Sequence, residues 1–589
     1  MSLDIASRIA VSSLMTTQVQ MSVASANISN ADTNGYTVKT ANQESVVSVG
    51  SGAGTTISGI TSNVDKLLLK SLSAANSDLG AADISNSYLD QLQNLYGSSG
   101  SSSSSGTSIA NSIASLESAI SSLSSTTNSA ALQSNVVGTL DSVASQLRET
   151  SSGIQNLRGN ADKDIASSID DVNQQLKSIS DLNAEIKQTK AAGQSTADLE
   201  DKRNTAMLDV ASKMNVSYFV SSSGDMQVYT TSGQVLVDSS AHKLSYTAAS
   251  SVTASTTYSA TSSSGLSGIT VNGVDVTSQI TSGKIGGLIN LRDTVLTGAQ
   301  TQLDQLANQL SDSLNTVHNQ GASIPPPHTL TGTATVSSST ALSASGTVRI
   351  AVADQKGSLV SYKDLDLSTY STVGDLVSGI NSISGLSSSI DTNGHVVIAS
   401  TSSSNGVAIN EMSSKVGSSG AGLSDALGLN DLVTGTGASN FAVRSDILSN
   451  SGRLAVSTLD SSTSLTTGRS VLSSGSTTVV DNLHSALTAS NSYGAAGGLG
   501  ATSGSASDYA SAIVSSAASK ASDAKNTYTS KETAQSTFSS AMSSQSGVNL
   551  DEETARLSTL QNQYSAVSEL IKTINSMFSD LLDAVKSSH

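Results

Sequence analysis

Apolar residues recur along this chain in two periods, and the changes of period mark its organisation. Leu3, Ala6, Ala10, Leu14, Thr17, Met21, Ala24 and Ile28 advance by three or four residues. That spacing lays them on one narrow stripe of an amphipathic helix. Asn30-Ala31-Asp32-Thr33-Asn34-Gly35-Tyr36 then breaks the pattern, because Asn and Gly tolerate positive φ and Asp and Thr favour turns. An extended stretch is expected from Val38 to Ile60.

Residues 61–214 read as almost wholly helical. Leu132, Val136, Leu140, Val143, Leu147, Ile154 and Leu157 form one stripe. Ile165, Ile169, Val172, Leu176, Ile179, Leu182 and Ile186 form another. The Ser/Gly run Ser98 to Gly106 is expected to be a flexible loop. Gly193 ends a helix, and Asp198 to Met214 makes a shorter one. The period then falls to two. Val216, Tyr218 and Val220 alternate, Gly224-Asp225 turns into Met226 and Val228, and Ser232-Gly233 turns into Val235 and Val237. Helical spacing returns from Ile285 through Leu303 and Leu314 to Val317.

Pro325, Pro326 and Pro327 predict a stiff polyproline II spacer. Beyond them a strand is expected over Thr347 to Val352, a short helix over Val373 to Ile383, and a hairpin from Ser388 to Ile398 turning at Asn393-Gly394. Gly- and Ser-rich turns are expected up to about 505, then a helix from Ala506 to Ser544. The last segment carries the strongest period. Leu550, Leu557, Tyr564, Ile571, Phe578 and Val585 are seven residues apart, and Leu560, Val567, Ile574 and Leu581 fill the second heptad position. This is a coiled-coil seam. Asn549 with Glu552 matches a capping box, and Asp551, Glu552 and Glu553 suit a helix N-terminus.

The expected fold is multidomain α+β. N- and C-terminal helices pair in a coiled coil, a long helical-bundle domain follows, and outer β-rich domains are inserted mid-chain. The expected boundaries are 1–60 for the N-terminal helix and extended segment, 61–214 for the helical domain, 215–280 for a β-rich domain and 281–324 for a return helix. They continue with 325–500 for variable outer β-rich or α+β domains, 501–546 for a further helix of the helical domain and 547–589 for the C-terminal coiled-coil helix.

Composition sharpens this. The 589 residues include no Trp, no Cys and only 3% aromatics. Long helices side by side suit such a chain better than one large core. The formal net charge of −17 opposes nucleic-acid binding, which neutralises phosphates with Lys and Arg. Missing cysteines exclude disulfides, thiolate metal sites and thiol nucleophiles. No run of 18 apolar residues occurs, so no membrane insertion is expected. Met1-Ser2-Leu3-Asp4-Ile5-Ala6 has an acid where a signal peptide needs basic residues. Export, if it occurs, is expected to proceed without a cleaved signal.

Candidate chemistry is sparse. His242, His318, His328, His395, His484 and His589 have no partner at metal-ligand spacing, and His318 reads as a polar-face residue of the return helix. Ser522 and Lys525 fit S-x-x-K without its companion motifs. No catalytic residue, metal or cofactor is expected, so the chain reads as structural and not as an enzyme.

Ser25-Ala26-Asn27-Ile28-Ser29-Asn30-Ala31-Asp32-Thr33-Asn34-Gly35-Tyr36 resembles the N-terminal signature of flagellar rod, hook and hook-associated proteins, carried here by Asn27, Asn30, Thr33, Gly35 and Tyr36. Ala26, Ser29 and Asn34 depart from it. Ser546-Gly547-Val548-Asn549-Leu550-Asp551-Glu552-Glu553, with Leu560-Gln561-Asn562-Gln563-Tyr564, is similar to the shared C-terminal signature. Asp198-Leu199-Glu200-Asp201-Lys202-Arg203 and Gly286-Gly287-Leu288-Ile289-Asn290-Leu291-Arg292-Asp293 resemble the FlgK family of hook-associated proteins in particular. The resemblance covers about 1–320 and 500–589.

It implies a structural axial protein of the bacterial flagellum, secreted by the flagellar type III pathway and placed at the hook–filament junction. Implied partners are copies of itself in a ring, the hook protein, hook-associated protein 3 and a cytosolic export chaperone. The implied assembly interface is Leu3, Ala6, Ala10, Leu14, Met21, Ala24 and Ile28 on the first helix. On the last helix it is Leu550, Leu557, Leu560, Tyr564, Val567, Ile571, Ile574, Phe578, Leu581 and Val585, where the chaperone would also bind. The alternatives are another axial component, such as hook protein, and a secreted Ser/Thr-rich adhesin.

Overall fold

The structure, a computed structural model, describes residues 2–48, 51–97, 106–260 and 265–587. Helix α1 spans Ser2–Ser29. After the Asn30–Gly35 turn come β1 (Lys39–Ser48) and β2 (Ser51–Ser62), an antiparallel ribbon whose register shifts at Asn42/Gln43 and at Val46/Val47. The expected extended stretch is therefore a hairpin folded back onto α1. The Ser12 hydroxyl accepts from the Thr55 N–H at 3.1 Å, and the Thr16 hydroxyl donates to the Thr55 carbonyl at 3.3 Å. A lone two-stranded ribbon is marginal in water, and α1 supplies the support.

Helix α2 spans Lys66–Leu95, α3 Ile109–Ser124, α4 Ala130–Ala191 and α5 Ala197–Lys213. The expected loop Ser98 to Gly106 lies, up to Ser105, outside the described residues. The two apolar stripes predicted for 132–186 belong to one 62-residue helix, α4. Fully buried Ala161 carries the stripe from Leu157 to Ile165.

Strands β3 (Val216–Val220), β4 (Met226–Thr230) and β5 (Val235–Val237) form a meander. Met226, Val228, Leu236 and Val237 enter the same core as α4. The return helix is α6 (Gly283–Asn290), a π turn (Leu291–Val295) and α7 (Leu296–His318). The π turn places Arg292 in the core. Its guanidinium grips Asp293 through two bonds of 2.8 Å and reaches buried Asp162 at 2.9 Å. Such pairing is what lets a cation sit in an apolar interior.

After α7 the prolines do not form a free polyproline II spacer. The Ile324–Pro325 bond is cis, and the Pro327 carbonyl accepts from Val407 N–H at 2.8 Å, docking the segment on a strand. The lobe beyond has its own core, including Val348, Ile350, Leu376 and Ile398. Strand 347–354 runs between 359–366 and 405–410, and strand 396–400 runs between 386–390 and 329–331. Helix α8 (Val373–Asn381) starts at a reciprocal Thr372/Asp375 capping box.

Helices α9 (Leu423–Leu427), α10 (Ser445–Ser449) and α11 (Thr478–Thr488) follow. Helix α11 corrects the expectation of turns up to 505. Its buried stripe Val479, Val480, Leu483 and Leu487 returns to the core of α4, and the Ser-rich flanks hid that short period. Helices α12 (Ala506–Ser546) and α13 (Leu550–Ser587) complete the chain.

Candidate assembly site at the joined chain ends

The two ends of the chain meet at Asn27. This side chain has no exposed surface, and its amide forms four hydrogen bonds. Its Nδ2 donates to the Lys39 carbonyl at 2.9 Å and to Glu553 Oε2 at 3.1 Å. Its Oδ1 accepts from the Tyr36 hydroxyl and from the Lys39 N–H, both at 3.0 Å. One residue thus binds α1 to the root of β1 and to the first turn of α13.

A second cluster ties that junction to the body. Asp201 on α5 accepts from the Thr37 N–H at 2.8 Å and from the Thr37 hydroxyl. The Lys39 ammonium pairs with Asp201, lies 3.7 Å from Asp198, and sits 4.3 Å from the centre of the Tyr36 ring. Lys39 and Asp201 are both buried. Burial, with Asp198, Asp201 and Glu553 adding negative field, pushes the Tyr36 phenol up to about 12.

Gly35 has φ +78°, and a Cβ there would lie 2.3 Å from Thr205 Oγ1. Only glycine suits both the backbone and the space. Asn30 and Thr33 act locally: Asn30 Nδ2 closes α1 by donating to the Ala26 carbonyl at 2.9 Å, and the Thr33 hydroxyl bonds Asn30 Oδ1 at 3.3 Å.

Helices α1 and α13 pack along each other. The Asn27–Glu553 bond puts the end of α1 beside the start of α13, so the two run antiparallel. At 1.5 Å per residue, 28 residues reach about 42 Å and 38 residues about 57 Å. Helix α13 therefore outruns α1 beyond about residue 578.

Burial follows this geometry. Of the predicted seam, Leu560 and Ile574 are buried; Leu557, Tyr564, Val567 and Ile571 are half-buried. Leu550, Phe578, Leu581 and Val585 are exposed, Leu581 by 55%. On α1, Ala10 and Ala24 are buried, Leu3, Leu14, Met21 and Ile28 half-buried, and Ala6 exposed. Ile5, Ile9, Val11, Met15 and Val19 add further exposed apolar surface to α1.

Sequence reasoning missed Lys39 and read Glu553 as helix-end charge. Asp551 and Glu552 are exposed and fit that role, and the Asn549 side chain caps their N–H groups at 3.0 and 3.3 Å. Glu553 is instead buried against Asn27. One signal was available: an acid three residues before Arg556, on the side of the helix that carries Leu560.

His318 also departs from expectation, being fully buried at the end of α7. Ser522 and Lys525 are exposed on α12, and His589 lies outside the described residues. Among the described residues no three His, Asp or Glu are grouped to hold a metal ion, and no helix is long and apolar enough to cross a membrane.

The comparisons with known proteins fall on these same parts. A family model described as the flagellar hook-associated protein FlgK helical domain matches residues 89–329. Models of the flagella basal body rod protein and of the flagellar basal body rod FlgEFG protein C-terminal match residues 8–37 and 539–584. Flagellar hook-associated protein 1 of Escherichia coli (strain K12) is 23% identical over 321 residues, covering 53% of this chain and 56% of that protein. Its counterpart in Salmonella typhimurium matches to the same extent. The chain spans about half the length of the curated relatives it matches.

The solved structure of the flagellar hook junction protein FlgK from Burkholderia pseudomallei superposes with a TM-score of 0.49 at 15% identity, over 80% of this chain and 99% of that one. Rod-protein models at both ends, the FlgK helical-domain model between them and curated relatives of one name thus all place the chain's similarity among flagellar rod and hook-associated proteins.

Proposed function

We propose that this chain is the structural subunit that joins flagellar hook to filament. The observation that carries the reading is the match of a FlgK helical domain, flanked by rod-type ends, to relatives named flagellar hook-associated protein 1. In this reading α1 and α13 form a coiled-coil layer lining the axis, and the helical body and outer lobe stand outside it. Copies assemble as a ring between hook protein below and hook-associated protein 3 above. The chain leaves the cell through the flagellar type III exporter without losing a signal peptide, and a cytosolic chaperone shields α13 until then.

The physical support is the apolar surface that the two terminal helices leave open. Leu581 and Leu582 on α13 and Ile5 and Met15 on α1 are all exposed, and such surface marks a partner. A hook protein shares the rod-type ends, so it is the second reading. The helical-domain match over residues 89–329 favours the first.

Deleting the gene separates the two. Loss of the junction subunit leaves complete hooks, no filaments and flagellin in the medium. Absence of hooks in electron micrographs would overturn the assignment in favour of a hook component.

A further inference from the structure

The last turn of α7 carries a buried polar clasp. The His318 ring, with no exposed surface, donates from Nδ1 to the Asn430 carbonyl at 2.5 Å and accepts at Nε2 from the Ala455 N–H at 2.8 Å. Asn319 Oδ1 accepts from the Asn430 N–H at 2.9 Å and from the Ser424 hydroxyl at 2.7 Å. Asn430 Nδ2 returns bonds of 3.0 Å to the His318 and Gly321 carbonyls. Residues 424–430 close the outer lobe, whereas Ala455 packs in the core of the helical body. The imidazole therefore holds α7, the end of the lobe and the body together at one point.

This arrangement fits a single protonation state. A carbonyl faces Nδ1, so Nδ1 carries the proton, and an N–H faces Nε2, so Nε2 must be bare. A second proton on Nε2 would set donor against donor where no water can intervene, orphaning the Ala455 N–H.

We propose that His318 is an acid-sensitive latch whose protonation loosens the joint between the outer lobe and the helical body while α4 itself stays folded. The charged groups around it are few. Arg444 bonds the Leu429 carbonyl at 3.0 Å and Asp446 at 2.9 Å; the Arg444 charge disfavours an imidazolium and the Asp446 charge favours it. Asp431 accepts from Asn319 and Thr333, Asp425 from Thr316, and Glu411 from the N–H groups of Leu423 and Ser424.

Burial is the largest influence and takes His318 from 6.5 down to about 4. The latch is at full strength above about pH 6.5 and weakens as the pH falls toward 4. Burial raises Glu411 and Asp425. Those two carboxyls favour the closed joint as the pH falls, so they oppose acid opening and cannot be its source.

Hydrogen exchange on the full chain at pH 7.5 and 5.0, corrected for intrinsic rates, tests this. Peptides spanning 424–433 and 453–457 lose protection by about thirtyfold at the lower pH, the ratio for a site titrating near 6.5 open and near 4 closed. Peptides of α4 do not change. His318→Gln keeps an acceptor and cannot titrate, so its protection is the same at both values. Unchanged protection in the wild type, or an equal acid loss in His318→Gln, overturns the proposal. If that variant fails to fold, ring-labelled histidine NMR on the wild type decides: one of six rings stays neutral at pH 5.5, and six ordinary titrations near 6.5 refute the latch.

Discussion

Helices α4 and α13 carry comparable apolar periods, yet the structure treats them differently. Along α4, Val143, Leu147, Ile154, Ile165 and Val172 have no exposed surface. Helices α3, α5, α6 and α7 and the β3–β5 meander surround it. Along α13 two seam residues are buried, and among the described residues α1 is the long element chiefly packed against it. Periodicity alone thus says that a face is apolar; the number of neighbouring layers says whether the chain itself can cover it. A stripe that one thin helix covers in part is suited to completion by other subunits.

The difference can be broken most sharply at the seam. Leu557→Asp together with Ile571→Asp places two carboxylates on the proposed assembly surface. The expected result is a body that keeps its helical circular dichroism and thermal midpoint while incorporation into flagella, scored by electron microscopy, is abolished. A normal yield of filaments would show that the seam is not an assembly surface.

A matched pair of truncations comes next. Leu147→Ala empties a filled core site and is expected to cost about 2–5 kcal/mol in denaturant unfolding. Leu581→Ala, on the exposed overhang, is expected to stay within about 0.5 kcal/mol of wild type in the soluble subunit. Equal losses would erase the contrast between the two helices.

The junction itself supplies a smaller effect. Asn27→Ala leaves Glu553 and the Lys39 backbone without their shared partner. About 1–3 kcal/mol of local stability is expected to go, read as faster proteolysis at the Ser29–Lys39 turn with α4 unaffected. The mildest test is alkaline. Tyr36 titrates near 10 when unfolded and at about 12 in place. Its contribution is full below pH 10 and is lost as the pH rises toward 12. Tyr36→Phe is expected to remove that part of the alkaline loosening.

Much of this was legible because it rests on local rules. Leu132 to Ile186 set the surface of α4, Gly193 ended it, and the period-two run from Val216 set the first meander. The Asn30–Tyr36 run marked the end of α1 through its turn chemistry. What stayed hidden depends on distant partners. Lys39 looks like any strand lysine until Asp201, 162 positions on, closes over it. His318 follows a helical apolar stripe as a polar residue would, and it is buried because Asn430 at the end of the lobe and Ala455 beyond it both return to it. The prolines at 325–327 promised rigidity, but docking on Val407 is a tertiary fact.

If copies assemble as proposed, the terminal helices that one subunit leaves open are closed in the polymer. The chain has no cysteine of its own, so Leu581→Cys introduces a single thiol on the overhang. Maleimide labelling in the soluble subunit is expected to run at the rate of an exposed thiol and to fall sharply once subunits have assembled on hook ends. Rapid labelling that persists unchanged in the assembled structure would contradict the account.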